Sequence, residues 1–363
     1  MVSWALIDDQ EDAASFIATF QKYGVDVVHY KPIVGRQILL RDNVPVAGVL
    51  MDVDLSGEAG NLGTGLGFAQ DIRASQKADA LPDFPVIRFA NPGPVAKNVR
   101  GDPTSDDLFD EYVFKIDLGT SPDEVVSKLR VASAIYDGFA RLREKGDFSG
   151  EYSILENVIG LPAEYVEDWV HPGLAIRLLP SLENPIHVSA GVFLRTCVNA
   201  VGLLLDKATV AMRLGLSIES ADDWNAVEEW LRPAQYIGVG SEIVERWWAP
   251  GVDQLWRSTT GNARPLAAMT ISERTSAISE RLKRTFTPLT MPRISPGDRP
   301  WRWCQLSLEE TPPHHVPIDP SQALKMTMPV DQPAWVDPLM ASKGAALRRR
   351  DDPRFGPHER SKL

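Results

Sequence analysis

Five short apolar runs alternate with segments of helical periodicity in the first part of the chain, and this alternation restricts the fold more than any other feature. The runs lie near residues 4–8, 25–30, 47–52, 84–90 and 112–116. Each run is too short to favour a helix, so the alternation indicates βα repetition around a buried parallel sheet. We therefore predict an α/β, doubly wound domain with a five-stranded parallel sheet over residues 1–146, which ends in a long helix at Pro122–Lys145.

Charged residues follow three of these runs at the point where each run ends. Asp8 and Asp9 follow the first run, Asp52 the third and Lys115 the fifth. The carboxyl ends of parallel strands meet at one edge of a sheet, so we expect these side chains to share a pocket. Clustered carboxylates repel one another, and Mg²⁺ relieves that repulsion through oxygen ligands. An aspartate can also accept a phosphoryl group, whose charge a lysine then offsets.

The order and spacing of these residues resemble the receiver domain of response regulators in two-component signalling. The matching segments are Ile7–Asp9, Asp52–Leu55, Gly65, Asp71–Arg73 and Glu111–Lys115. The resemblance covers residues 1 to about 146 and implies a flavodoxin-like fold. It further implies that Asp52 is the phosphoacceptor, that Asp8, Asp9 and Asp52 bind Mg²⁺ with the backbone carbonyl of Asp54, and that Lys115 contacts the phosphoryl group. Tyr112 stands where receivers carry a switch aromatic.

Two residues depart from the receiver pattern. Ala90 ends the fourth run where receivers usually have Thr or Ser, and it cannot hydrogen-bond a phosphoryl group. Ile116 follows Lys115 where receivers usually have a proline. The alternative is therefore a pseudo-receiver that no longer takes phosphate and serves as a docking module. A third interpretation is that the strand-end aspartates only cap the helices after them.

Composition limits the other classes of function. A net charge of −11 disfavours a chain that coats nucleic acid. Cys197 and Cys304 lack metal or redox spacing, which favours a reducing compartment, and acids interrupt the first apolar run before a secretory signal could form. The longest apolar stretch, Val188–Leu205, contains Arg195 and Asn199, which indicates a buried helix. We predict a cytoplasmic protein that does not cross a membrane.

The rest of the chain resembles no family and reads as an α-helical domain, an arm and a tail. We predict the helical domain at residues 150–286, a Pro-rich extended arm at 287–342 and a basic mobile tail at 343–363, because prolines and then basic residues accumulate there. Five tryptophans lie between Trp224 and Trp256 and favour a core, with an interface as the alternative. The candidate helices are Glu151–Ile159, Ala163–Val170, His187–Leu205, Lys207–Leu214, Asp222–Leu231, Glu242–Trp248 and Ser272–Phe286.

These observations favour an atypical response regulator that is not an enzyme. On this interpretation, we expect a histidine kinase or a small phosphodonor to modify Asp52. We expect the helical domain to bind an unidentified protein, and a homodimer is a further alternative. A transcription regulator is disfavoured. Thr209–Ser217 has the apolar spacing of a helix-turn-helix, but the segment Glu219–Glu229 that would follow in the groove is acidic and repels phosphates.

Overall fold

The chain divides into two compact units, each of which makes most of its contacts within itself. Met1–Leu204 with Tyr236–Glu245 forms the first unit, and Leu205–Gln235 with Arg246–Leu363 forms the second. The boundaries expected from composition, near residues 146 and 286, stay predictions. The computed structural model describes residues 2–10, 13–57, 64–91, 108–145, 158, 160–161, 165, 185–199, 202–217, 221–261, 264–291, 297–304, 315–321, 324–327 and 333–336.

A five-stranded parallel sheet forms the centre of the first unit. Its order is β2-β1-β3-β4-β5, and every neighbouring pair is parallel. This is the flavodoxin-like order, so the predicted fold class is confirmed. Every residue of β1, β3 and β4 is buried, as expected for parallel strands covered on both faces. The strands are β1 (Trp4–Ile7), β2 (Val27–Tyr30), β3 (Gly48–Met51), β4 (Val86–Ala90) and β5 (Glu111–Phe114).

Within the described residues, helices follow β1, β2, β3 and β5, as the alternation predicts. The long helix is present at the predicted residues and begins with a proline followed by two acids, which suit the first turn of a helix. The helices are α1 (Ala13–Lys22), α2 (Pro32–Arg36, continued by a π-helical turn Gln37–Arg41), α3 (Gly65–Lys77), α4 (Lys115–Thr120), α5 (Pro122–Lys145) and α6 (Ile186–Phe193, continued by a π-helical turn Leu194–Val198).

In the described part of the second unit, four α-helices pack around an apolar core. They are α7 (Lys207–Leu214), α8 (Ala221–Leu231), α9 (Ala249–Thr260) and α10 (Ile271–Leu282). Trp224, Trp247 and Trp256 are buried together with aliphatic residues of these helices. Trp224 and Trp247 meet edge to face, with ring centroids 5.5 Å apart. The interpretation of the tryptophan cluster as core is confirmed for these three residues.

The sequence prediction was wrong about the helix at Glu242–Trp248 and missed α9. Gly240 has a left-handed φ of 78°, and Trp247–Trp248 is a short strand. Pro250 lies in the first turn of α9, and Gly261 follows its last residue with a φ of 62°. The sequence therefore contained a signal for the start and one for the end of this helix, but they mark α9 and not Glu242–Trp248. The helix expected at His187–Leu205 ends at Val198, and Leu204–Leu205 is extended.

Short strands account for the regular structure in the described part of the predicted arm. Arg302–Trp303 pairs with Pro317–Ile318, and Leu324–Thr327 pairs with Pro333–Val336, both antiparallel. The predicted helices at Glu151–Ile159 and Ala163–Val170 and the predicted tail lie outside the described residues, apart from single positions. Among the helices that the structure describes, none has the length and hydropathy needed to cross a membrane.

Candidate functional site

The charged residues that follow β1, β3 and β5 meet at the carboxyl edge of the sheet. The Lys115 Nζ lies 2.6 Å from Asp8 Oδ2 and 2.6 Å from Asp52 Oδ2. Asp8, Asp52 and Lys115 are 0%, 5% and 4% exposed, so two carboxylates and one ammonium are almost fully removed from water. The expectation that these three side chains share a pocket is therefore confirmed.

Local backbone contacts hold the two buried aspartates in place. Gln10 N–H donates to Asp8 Oδ1 at 2.9 Å, and Asp54 N–H donates to Asp52 Oδ1 at 3.3 Å. The start of α3 lies directly against the end of β3, because a Cβ atom at Gly65 would be 1.8 Å from the Asp52 carbonyl oxygen. Only glycine allows this approach, so Gly65 lets α3 begin directly against the end of β3.

Asp9 completes a set of three acids. Its carboxylate accepts a hydrogen bond from Gly57 N–H, and its carbonyl oxygen accepts one from Lys31 Nζ. One carboxylate oxygen of Asp8, Asp9 and Asp52 each lies within 4.8 Å of the others. Oxygen donors at this density are compatible with a divalent cation, and they are the ligand type that Mg²⁺ prefers. The metal-binding role of the Asp54 carbonyl stays a prediction.

Burial and neighbouring charges act in opposite directions on the pKa values of Asp52 and Lys115. Burial raises the pKa of Asp52, as does the charge of Asp8, while Lys115 lowers it. Burial opposes the charge of Lys115, yet hydrogen bonds to Asp52 and Asp8 raise the pKa of this lysine above its usual value. Lys115 is therefore a fixed positive charge at the edge of the sheet.

The two predicted switch residues lie on neighbouring strands. Ala90 is the last residue of β4 and pairs with Phe114 of β5. Its buried methyl group has no hydroxyl to offer a phosphoryl oxygen. The ring of Tyr112 lies against Phe109, with centroids 6.3 Å apart, and the Arg88 guanidinium lies 5.7 Å from the Tyr112 centroid. The switch roles of Ala90 and Tyr112 stay predictions.

Sequence reasoning missed a buried polar cluster that ties α3 and α5 to the sheet. Arg73 NH2 lies 2.7 Å from Asp110 Oδ2, and the Tyr136 hydroxyl lies 2.9 Å from the same carboxylate. Val86 N–H at the start of β4 also donates to Asp110 at 2.8 Å. One signal was available: Arg73 falls on the face of α3 that otherwise buries Phe68 and other apolar residues.

Two further contacts near the site involve residues outside the receiver-like motifs. The His29 Nε2 lies 2.8 Å from the Asp8 carbonyl oxygen, and the Lys115 Nζ lies 5.9 Å from the centroid of the Phe16 ring. The parallel pairing of β1 with β2 sets Leu6 opposite His29. This register brings His29 and Lys31 close to the carbonyl groups of Asp8 and Asp9. Such partners depend on strand register and leave no spacing signal in the sequence.

Solved structures similar to this chain include several receiver proteins. One is a receiver domain from Methylobacillus flagellatus, with 19% identity over 36% of this chain and 99% of that chain and a TM-score of 0.27. Another is a response regulator protein from Burkholderia pseudomallei with a phosphorylated aspartic acid, calcium ion and citrate; its identity is 14% over 56% of this chain and 99% of that chain, with a TM-score of 0.27.

A third similar structure is the histidine kinase ThkA in complex with the response regulator protein TrrA, with 20% identity over 36% of this chain and 98% of that chain and a TM-score of 0.27. At identities and TM-scores this low, the fold assignment of the first unit rests on its own strand order. No protein-family model and no curated protein matches the chain.

Proposed function

We propose that this protein is an atypical response regulator in which Asp52 accepts a phosphoryl group. The observation that carries the proposal is the position of Lys115, whose Nζ lies 2.6 Å from both Asp8 and Asp52. A lysine held between an acceptor carboxylate and a metal-binding carboxylate is placed to neutralise a phosphoryl group. The first unit is then a regulated module, and the protein is a signalling protein and not an enzyme.

The residues divide the chemistry between them. An Asp52 carboxylate oxygen attacks phosphorus, an oxygen–phosphorus bond forms, and the bond to the donor breaks with its electron pair passing to the donor. The donor is a histidine kinase or a small phosphodonor. Mg²⁺, held by Asp8, Asp9 and Asp52, supplies positive charge to the phosphoryl oxygens when bound. Lys115, which follows β5 at the same edge of the sheet, supplies a second positive charge.

The helical part of the chain is the output in this proposal. Its role is to bind a protein partner, with the long helix α5 as the element through which a change in the first unit is passed on. DNA is disfavoured as the partner, because Asp222, Asp223, Glu228 and Glu229 of α8 would repel phosphates.

The second candidate is a pseudo-receiver that binds its partners without phosphorylation. Ala90 favours it, because the strand end beside the acceptor carries a methyl group and no hydroxyl. Ile116 is 49% exposed in the first turn of α4, which begins directly at Lys115. Both residues concern the readout of a phosphoryl group, and neither removes the acceptor itself.

Beryllofluoride with Mg²⁺ separates the two candidates, because it mimics an aspartyl phosphate. We expect it to raise the Tm of the wild type, since a ligand that binds only the folded protein stabilises it by about 2.7 kcal/mol at a hundredfold excess over Kd. Asp52→Asn should abolish the increase. The matched control is Asp42→Asn, an exposed acid that caps the turn after α2 and should leave the increase intact.

Acetyl phosphate provides a covalent readout of the same proposal. Wild-type protein incubated with acetyl phosphate and Mg²⁺ should gain the mass of one phosphoryl group, and Asp52→Asn should not. If the wild type shows neither the mass gain nor the beryllofluoride shift, the acceptor function is wrong and the pseudo-receiver remains.

A further inference from the structure

Arg213, in the last turn of α7, is a buried cation that contacts no acid among the described residues. It is 6% exposed, and within the described part of the chain its guanidinium makes no ion pair and its buried Nε has no hydrogen-bond partner. Its guanidinium carbon lies over the indole of Trp301, 4.5 Å from the ring centroid. All five N–H groups of an arginine are donors, so the Nε–H of Arg213 is a buried donor without an acceptor among the described residues.

Leaving such a group unsatisfied costs free energy. Buried charges are normally paired, and each exception calls for a partner that completes the site. Burial, together with the nearby charge of Arg302, lowers the pKa of Arg213 to about 10, although the charges of Asp253 and Asp206 oppose this change. At neutral pH the guanidinium is nevertheless charged, so its desolvation lowers the stability of the folded protein.

Two acids act on Arg213 from a distance, and neither contacts it. Asp206 caps α7 by accepting the Thr209 N–H at 2.7 Å. Asp253 in α9 is itself half-buried, and burial raises its pKa even though Arg213 and Arg257 oppose that change. The counter-charge near Arg213 is therefore incomplete.

A second buried arginine lies beside the same indole. Arg274 is 0% exposed, and its guanidinium carbon lies 5.7 Å from the Trp301 centroid. Its Nε donates to the Met269 carbonyl at 2.9 Å, and its NH1 donates to the carbonyls of Arg213 and Pro300. Its buried NH2 has no hydrogen-bond partner among the described residues. Arg274 is thus fixed by backbone carbonyls and adds positive charge and one spare donor.

We propose that Arg213, with Arg274 and Trp301, forms a binding site for a small oxyanion, either a carboxylate or a phosphate-type anion. The planar fork of an arginine matches both chemistries in a bidentate geometry. The ligand is small because both guanidinium groups are almost completely buried, which leaves no surface broad enough for a macromolecule. This site lies in the second unit and does not depend on the phosphoacceptor function of the first.

The test compares the Tm of the full chain in chloride with that in phosphate, sulfate, formate or acetate at equal pH and ionic strength. The variants are Arg213→Met, Arg213→Lys and the control Arg281→Met, which replaces an exposed arginine in the last turn of α10. Phosphate and sulfate stabilise most proteins by exclusion, so the informative quantity is the shift that Arg213→Met loses.

We expect one class of oxyanion to raise the Tm of the wild type and of Arg281→Met by several degrees more than that of Arg213→Met. A shift with formate and acetate identifies a carboxylate site, and one with phosphate and sulfate identifies a phosphate-type site. Arg213→Lys should lose most of the shift, because it retains the charge and loses the fork. Equal shifts in all four proteins, or none in the wild type, would overturn the proposal.

Discussion

Buried arginines have opposite electrostatic surroundings in the two units. In the first unit, burial disfavours the charge of Arg73, but the contact with Asp110 at 2.7 Å outweighs it and raises the pKa of the arginine. In the second unit, burial lowers the pKa of Arg213 and of Arg274 to about 10 each. The difference shows that a direct carboxylate contact, and not the depth of burial, decides whether a buried cation is favoured.

The comparison distinguishes buried charges that are paired with an acid or base of the same unit from buried charges that have no such partner among the described residues. Arg73, Asp110 and Tyr136 hydrogen-bond to one another, and Lys115 is paired with Asp8 and Asp52. The second unit also buries several indole nitrogens without an acceptor in the described structure, those of Trp224, Trp230, Trp247 and Trp256. Among the described residues, the buried polar groups of the second unit are therefore less completely matched than those around Arg73.

Asp110→Ala should have the largest effect, because it leaves Arg73 as an uncompensated buried charge. We expect a loss of about 3 to 5 kcal/mol in the free energy of unfolding, measured by chemical denaturation. Asp71→Ala removes the acid of an exposed ion pair with Arg36 and should cost less than about 1 kcal/mol. Similar losses in the two variants would contradict the role of burial.

Arg274→Met should have an intermediate effect. It removes hydrogen bonds to three backbone carbonyls but also a buried charge, so we expect a loss of about 2 kcal/mol. Chemical denaturation in a chloride buffer measures it. A loss as large as that of Asp110→Ala would mean that carbonyl contacts compensate an arginine as well as a carboxylate does.

Arg213→Met should change stability little in chloride buffer. The variant loses a desolvated contact with Trp301 that is worth about 2 kcal/mol, but it is also relieved of an unpaired buried charge, whose desolvation costs a comparable or larger free energy. We expect a change between about zero and a gain of 1 kcal/mol in the free energy of unfolding. A loss above about 2 kcal/mol would show that Arg213 is satisfied in the absence of oxyanions, and the contrast between the units would fail.

Chemical labelling of the two cysteine thiols should show in which unit each variant loses stability. In the native wild type we expect almost no labelling of either thiol. Cys197 lies in the first unit and Cys304 in the second, and both are buried. Burial raises the pKa of the Cys197 thiol to about 11, so little thiolate is available at neutral pH.

Thiol labelling under increasing denaturant should detect Cys197 earlier in Asp110→Ala, and Cys304 earlier in Arg274→Met. Variants with one cysteine replaced by serine identify the labelled residue. Rapid labelling of Cys197 in native wild type at neutral pH would contradict its buried state.

The candidate site was predictable because its residues follow apolar runs directly. Asp8, Asp9, Asp52 and Lys115 each stand at the end of a run, and the parallel order of the sheet brings such ends together. The arginine clusters were not predictable in the same way. Arg73 and Asp110 are separated by 37 positions and belong to different elements, so no local spacing connects them.

The sequence by itself determined the alternation of strands and helices, the burial of the strands and the convergence of charge at one sheet edge, because these depend on local periodicity and on strand order. The tertiary structure alone decided which buried charges acquire a partner. Asp110 reaches Arg73, whereas Asp253 and Asp206 stop short of Arg213. A charge-stabilising contact requires a few ångströms between side chains distant in sequence, and that distance depends on how whole helices pack.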